Sequence, residues 1–270
     1  MKGISMRASV IIACALIGVA LYFGIGRKNN RDRHLGESLQ QINQAAREMG
    51  EVMKDDLAKK RTISTSTTDE GWKRAQNLVD DISGKLGSED ETVRFIQALL
   101  AEMQAKAAPY HALLKRWETE RPLEMATVKN RTDLSARRQF GEEMLRVNAD
   151  IMTYLESWES NLRTKAAKAD MSVEATKEMV SYMMSSSGRS IPIQIRIRKS
   201  DEIMARSLIQ MTNLMEDEWG KWKAQNGEIA IESEAASKRY DVIIAATKEA
   251  DERRVVAQRE LIELSQRLAR

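Results

Sequence analysis

The chain has 270 residues, of which 42% are hydrophobic, 31% charged and 5% aromatic. Its 43 basic and 40 acidic residues give a formal net charge of +3, a near balance that argues against a nucleic-acid-binding protein. Three prolines and fifteen methionines favour long helices with unbranched core side chains, and the single cysteine, Cys14, excludes an intrachain disulfide.

The first strong signal is an uncharged apolar segment at residues 8–26, ASVIIACALIGVALYFGIG. As a helix it would rise about 28 Å, close to the hydrocarbon thickness of a bilayer. We therefore predict a single-pass transmembrane helix, a signal-anchor, after a short tail at residues 1–7; a cleaved signal peptide is the alternative. A basic linker at residues 27–34 follows, and we expect its cations to lie at the lipid headgroups: Arg27, Lys28, Arg31 and Arg33.

Two features of the sequence predict opposite orientations of this segment in the membrane. Two basic residues precede it and four follow closely, which leans slightly toward a cytoplasmic body. A short basic start, an apolar run and a large following domain are, however, typical of exported proteins that stay anchored at the N-terminus. We expect a membrane protein whose body is extracytoplasmic, with a cytoplasmic body as the alternative.

Residues 35–270 predict one all-α domain, an elongated helical bundle. Apolar residues recur at steps of three and four, the spacing of amphipathic helices. The predicted helices cover about 35–60, Trp72 to Leu86, Ser88 to Pro122, about 134–168, Ser172 to Met184, and Ser200 to Trp222. We expect Pro109 to kink or split the third of these, and Pro122 to end it.

A heptad pattern runs from Ile229 to Leu268 and predicts a long C-terminal helix. Its middle is small and polar, with Thr247, Ala250 and Arg254 at seam positions. Such a seam favours packing against helices of the same chain. Self-association through a coiled coil is the alternative.

One stretch departs from helical spacing: SIPIQIRIRK, residues 190–199. Isoleucine at every second position is typical of a strand with one apolar face, so we predict a short extended segment near 190–198. We consider three hypotheses for it: a connector packed along the bundle, pairing with another chain by strand addition, or contact with a membrane surface. The candidate contact residues are Ile191, Ile193, Ile195, Ile197, Arg196 and Arg198.

No motif for chemistry stands out. Neither histidine, His34 or His111, has the glutamate three residues earlier that a di-iron bundle requires. The SGKLGS stretch at 83–88 lacks the first glycine and the final Ser or Thr of a phosphate-binding loop. A pocket lined by Tyr110 and His111 at the expected Pro109 kink is an alternative hypothesis. We expect no catalytic activity, no metal and no cofactor.

The sequence therefore predicts a membrane-anchored helical interaction or scaffold protein. Its expected partners are the membrane and another protein, or a second copy of itself, and no nucleic acid. The alternative is a ligand-sensing helical bundle that binds a small molecule and signals through a partner membrane protein.

Overall fold

The structure is a computed structural model that describes residue 44 and residues 48–59, 65–87, 90–225 and 227–268. This part of the chain is mostly helical, which confirms an all-α helical bundle. Residues 48–59 are helical and form α1. The helices that follow are α2 (Thr65–Leu86), α3 (Glu91–Glu120), α4 (Arg131–Glu156), α5 (Trp158–Lys168), α6 (Val173–Asp217) and α7 (Glu234–Leu268).

Two short elements complete the architecture. A 3₁₀ turn, Met125–Thr127, lies between α3 and α4. An antiparallel hairpin of β1 (Trp222–Gln225) and β2 (Glu228–Ile231) joins α6 to α7, with Trp222 opposite Ile231. Gly227 adopts a φ of +80° in the turn, a conformation that glycine reaches without steric cost. The heptad pattern assigned Ile229 to a helix, and this was wrong, because Ile229 lies in β2.

The predicted membrane segment at 8–26 and the basic linker at 27–34 lie outside the residues that the structure describes, as do Arg27, Lys28, Arg31 and Arg33. Within the described ranges, no helix combines the length and the apolar character needed to cross a bilayer.

The predicted extended segment near 190–198 is wrong, because these residues lie inside α6, a continuous helix of 45 residues. Ser172 caps this helix as predicted, its Oγ accepting a hydrogen bond from the backbone N–H of Ala175 (3.2 Å). The helix then continues beyond Met184 and through Pro192 to Asp217.

Burial explains why the sequence of this stretch resembles a strand. The side chains of Pro192, Arg196 and Lys199 share one exposed side of α6. Ile193 and Ile197 are buried on one flank, and the half-buried Ile191 and Ile195 lie on the other. At about 100° per residue, every second residue here falls outside the exposed side. A helix covered around most of its circumference can therefore show a period of two.

Prolines and polar residues had the predicted effect at some helix ends and not at others. α3 ends at Glu120, before Pro122, as expected, but it passes through Pro109 as one helix. The predicted helix at 134–168 is interrupted at Ser157, which separates α4 from α5.

The C-terminal heptad pattern is confirmed from Ala236 onward as the buried face of α7. α7 returns along α6, and the two helices form the most extensive contact between described elements. Intrachain packing of the seam is thus confirmed.

Helices α4 and α6 approach closely at Gly141. A Cβ at this position would lie 2.8 Å from Cγ1 of Ile209 and 3.2 Å from the carbonyl oxygen of Ala205. The second of these atoms belongs to the backbone and cannot rotate away. Glycine at 141 is therefore a packing requirement.

We predict that Gly141→Ala lowers the free energy of unfolding by about 1–3 kcal/mol, because overpacking outweighs the better helix propensity of alanine. The matched control is Gly188→Ala in α6, where no atom lies within 4 Å of the added Cβ. This control should raise the free energy of unfolding by up to about 1 kcal/mol. Chemical denaturation followed by circular dichroism measures both; stabilisation by Gly141→Ala would contradict the close approach.

Candidate functional site

Two rows of buried polar side chains lie along α6 and α7. On α6 the row is Ser190, Gln194, Arg198 and Asp201, and on α7 it is Thr247, Asp251, Arg254 and Gln258. Steps of three and four place each row on one side of its helix. We use the name polar layer for these eight residues together with Tyr110 of α3 and Asn148 of α4, both also buried.

The centre of the polar layer is an ion pair within α6. Nη2 of Arg198 lies 2.8 Å from Oδ2 of Asp201, and the two side chains are 2% and 0% exposed. The hydroxyl of Tyr110 donates a hydrogen bond to the same carboxylate oxygen (2.8 Å). The guanidinium carbon of Arg198 also lies 4.1 Å from the centroid of the Tyr110 ring, a cation–π contact. Tyr110 thus contacts both charged partners.

Two other helices join this centre. From α4, Asn148 donates its Nδ2 to the backbone carbonyl of Arg198 (2.8 Å). On α7, Arg254 forms a second buried ion pair, with 2.7 Å between its Nη2 and Oδ1 of Asp251. The positive charge of Arg254 acts to lower the pKa of Tyr110, against the larger effect of burial, which raises it. Hydrogen bonds of the polar layer therefore join α3 and α4 to α6, and α7, which packs along α6, carries its own buried ion pair.

The charges of the polar layer balance. Burial lowers the pKa of Arg198, but the Asp201 carboxylate and Tyr110 raise it by more, so the guanidinium keeps its proton. Burial raises the pKa of Tyr110 well above its ordinary value, so the phenol remains a neutral donor. Two guanidinium cations then face two carboxylates, and each charge has an opposite partner in its own helix. The buried charge is thus neutralised within each helix, and the hydrogen bonds from Tyr110 and Asn148 hold α3 and α4 in a fixed relation to α6.

The six residues proposed from the sequence as one contact face do not share a face. Ile193 and Ile197 belong to the hydrophobic core, and Ile191 and Ile195 pack against it. Arg196 is exposed and pairs with Glu260 of α7, with 2.5 Å between Nη2 and Oε2. Of the six, Arg198 lies in the polar layer. A role of the exposed Arg196 in partner or membrane contact stays a prediction.

Sequence reasoning missed most of the polar layer. Arg254 stood out as a charge at a heptad seam position, and this signal could have indicated a buried ion pair. Tyr110 was associated with a pocket at a Pro109 kink, whereas its hydroxyl binds Asp201, 91 residues further along the chain. No local sequence pattern indicated that Asn148 and Asp201 would be buried in a polar layer.

Within the part of the chain that the structure describes, no group of three His, Cys, Asp or Glu side chains is placed to hold a metal ion. Comparison of the chain with protein-family models, with curated proteins and with solved structures gives no match.

We predict that Arg198→Met lowers the free energy of unfolding by about 3–5 kcal/mol, because it leaves the buried Asp201 without its cation. The double variant Arg198→Met with Asp201→Leu should cost less than Arg198→Met alone, because it removes both buried charges. Arg196→Met is the matched control and should cost no more than about 1 kcal/mol, since its ion pair is exposed. Denaturant titration of the four proteins measures this, and equal losses in Arg198→Met and Arg196→Met would contradict a buried pair.

We also predict that stability falls as the pH rises above about 10. Burial raises the pKa of Tyr110, of Tyr154 and, to about 12, of Tyr240. In the unfolded chain these phenols ionise near pH 10, so at higher pH the unfolded state binds fewer protons than the native state. The free energy of unfolding then drops by up to about 1.4 kcal/mol per pH unit for each such tyrosine.

Tyr110→Phe isolates the contribution of the polar layer to this dependence. At pH 7 it should cost about 1.5–3 kcal/mol through the lost hydrogen bond to a charged carboxylate. Above pH 10 its stability should approach that of the natural protein, which denaturant titration between pH 7 and 11 measures. A constant difference over this range would show that Tyr110 ionises normally in the folded protein.

Proposed function

We propose that this protein is a membrane-anchored helical scaffold. In this proposal residues 8–26 hold the body at a membrane, and the body binds another protein without catalysing a reaction. The observation that carries it is the polar layer, whose charged groups pair with one another inside α6 and α7 and whose hydrogen bonds join α3 and α4 to α6. Buried ion pairs of this kind are a means of selecting one arrangement of helices over others.

The lengths of the helices support the same proposal. α6 has 45 residues and α7 has 35, which correspond to about 67 Å and 52 Å of helix. Two long helices packed along each other, with the ion pair of Arg196 and Glu260 between them, form a stiff element. A stiff element on a membrane tether can present a binding surface at a defined distance from the lipid.

The outward side of α7 is the surface that we propose for the partner. Val242 and Val256 are 68% and 60% exposed, unusually high for large apolar side chains in this body. They are two heptads apart and therefore lie on the same side of the helix. Exposed apolar side chains aligned along a charged helix favour contact with another amphipathic helix, from a different protein or from a second copy of this chain.

Photo-crosslinking in intact membranes tests the scaffold proposal. A photoreactive amino acid replaces Val256 in the full-length protein, and a matched probe replaces Ala230 in β2, which is also exposed. We expect a defined adduct with one protein from position 256, lost when Val242→Asp is added and absent from position 230. Reaction with lipid or solvent alone at position 256 would contradict the proposed surface.

The orientation of the body is a separate part of the proposal, and we favour the extracytoplasmic side. A reporter that is active only outside the cytoplasm, fused after Arg270, tests it. Activity supports an extracytoplasmic body. Inactivity, together with fluorescence of a matched fusion that folds only in the cytoplasm, would place the body inside.

A ligand-sensing bundle is the second candidate, favoured by buried side-chain atoms of the polar layer on α4 and α6, four in number, that have no hydrogen-bond partner in the protein. A small molecule bound there would stabilise the folded state and raise its melting temperature. A partner membrane protein would then transmit the signal.

A further inference from the structure

Four buried side-chain atoms in the part of the polar layer on α4 and α6 have no hydrogen-bond partner in the protein. They are Nη1 of Arg198, Oδ1 of Asp201, Oδ1 of Asn148 and Oε1 of Gln194. Their side chains are among the buried polar groups of α4 and α6. Buried polar groups in native proteins are almost always satisfied by protein or by ordered water, so four such atoms together require an explanation.

Gln194, Arg198 and Asp201 lie on one side of α6 over two helical turns, with Asn148 of α4 beside Arg198. Arg198 and Asp201 pair through Nη2 and Oδ2. This pairing leaves Nη1 of Arg198 and Oδ1 of Asp201 without a hydrogen-bond partner in the protein. Asn148 uses its Nδ2 on the carbonyl of Arg198, so its Oδ1 is the atom left over beside that residue. Gln194 lies one helical turn before Arg198 on the same side of α6.

The chemistry of the four atoms restricts what can bind them. One is an N–H donor and three are oxygen acceptors, so an occupant must accept one hydrogen bond and donate several. A fully deprotonated anion cannot donate, and any anion would be repelled by Asp201. A metal cation cannot accept and would be repelled by Arg198. Because the charged groups of the polar layer sum to zero, a neutral occupant fits best.

We propose that the polar layer binds ordered water, which bridges the Arg198–Asp201 ion pair to Asn148 and Gln194. One water molecule accepts from Nη1 of Arg198 and donates to two of the three oxygens, and a second water completes the set where one cannot reach all of them. Buried waters typically make about three hydrogen bonds, which matches these partners. The water is part of the folded structure, and its binding does not depend on the scaffold proposal.

A crystal structure of the full-length protein, at a resolution that shows ordered solvent, tests this directly. We expect one or two density peaks, each of the size of a water, that together lie within hydrogen-bonding distance of at least three of the four atoms. Direct pairing of these atoms with one another, or a dry interior, would overturn the proposal. A larger density would also overturn it and would support the ligand-sensing candidate instead.

A variant provides a second, independent test. Gln194→Met keeps the volume of the side chain and removes its amide. If water is bound there, the variant takes away one of its partners, and the denaturation midpoint should fall. If Oε1 of Gln194 is unsatisfied, the variant removes a buried polar atom without a partner, and the midpoint should rise. Gln210→Met, an exposed position on the same helix, is the matched control and should leave the midpoint unchanged.

Discussion

The burial of Arg198 is the constraint on which the rest of the bundle depends. A guanidinium that has left water needs an opposite charge and further hydrogen-bonding groups at fixed positions. Asp201 supplies the charge from the same helix, and Tyr110 and Asn148 supply contacts from α3 and α4. Three helices must therefore meet at one level for the charge to be tolerated. Hydrophobic contacts alone would accept several neighbouring arrangements of similar energy, whereas this set of contacts accepts few.

The second ion pair extends the same constraint to α7. Arg254 occupies a seam position that a simple coiled coil would fill with a leucine, and Asp251 neutralises it from the preceding turn. Along the remainder of the seam the buried residues are mostly small or apolar, among them Ala250, Ala257 and Leu261. The small and apolar seam residues of α7 thus pack against α6, and the Arg254–Asp251 pair specifies the position at which α7 packs.

Features that depend on local sequence could be predicted. The helical class, the cap at Ser172, the end of α3 before Pro122 and the buried face of α7 all follow from spacing and from single residues at helix ends. The residues 190–199 could not be predicted in this way, because their pattern reflects how much of α6 is covered by other helices. Coverage is a property of the assembled bundle, and one sequence does not reveal it.

The polar layer is harder still to predict, because its members are far apart in the chain. Asp201 is 91 residues from Tyr110, and Arg198 is 50 residues from Asn148. A charge at a seam position indicates that a buried partner exists, but it does not identify the partner. The assignment of Ile229 to the C-terminal helix failed for a different reason: the heptad spacing extends through Ile229, but the turn at Gly227 places this residue in β2.

The two isoleucine flanks of α6 have a mechanical consequence. The polar row of Gln194, Arg198 and Asp201 lies between Ile191 and Ile195 on one flank and Ile193 and Ile197 on the other. Turning this helix about its own axis by one residue would move charges into an apolar environment and isoleucines into the ionic one, so axial rotation is blocked in both directions. Any movement transmitted along the body must therefore be a tilt or a displacement of α6 and its neighbours together. When a partner binds, the bundle would therefore respond by a joint tilt of its helices and not by rotation of α6 about its own axis.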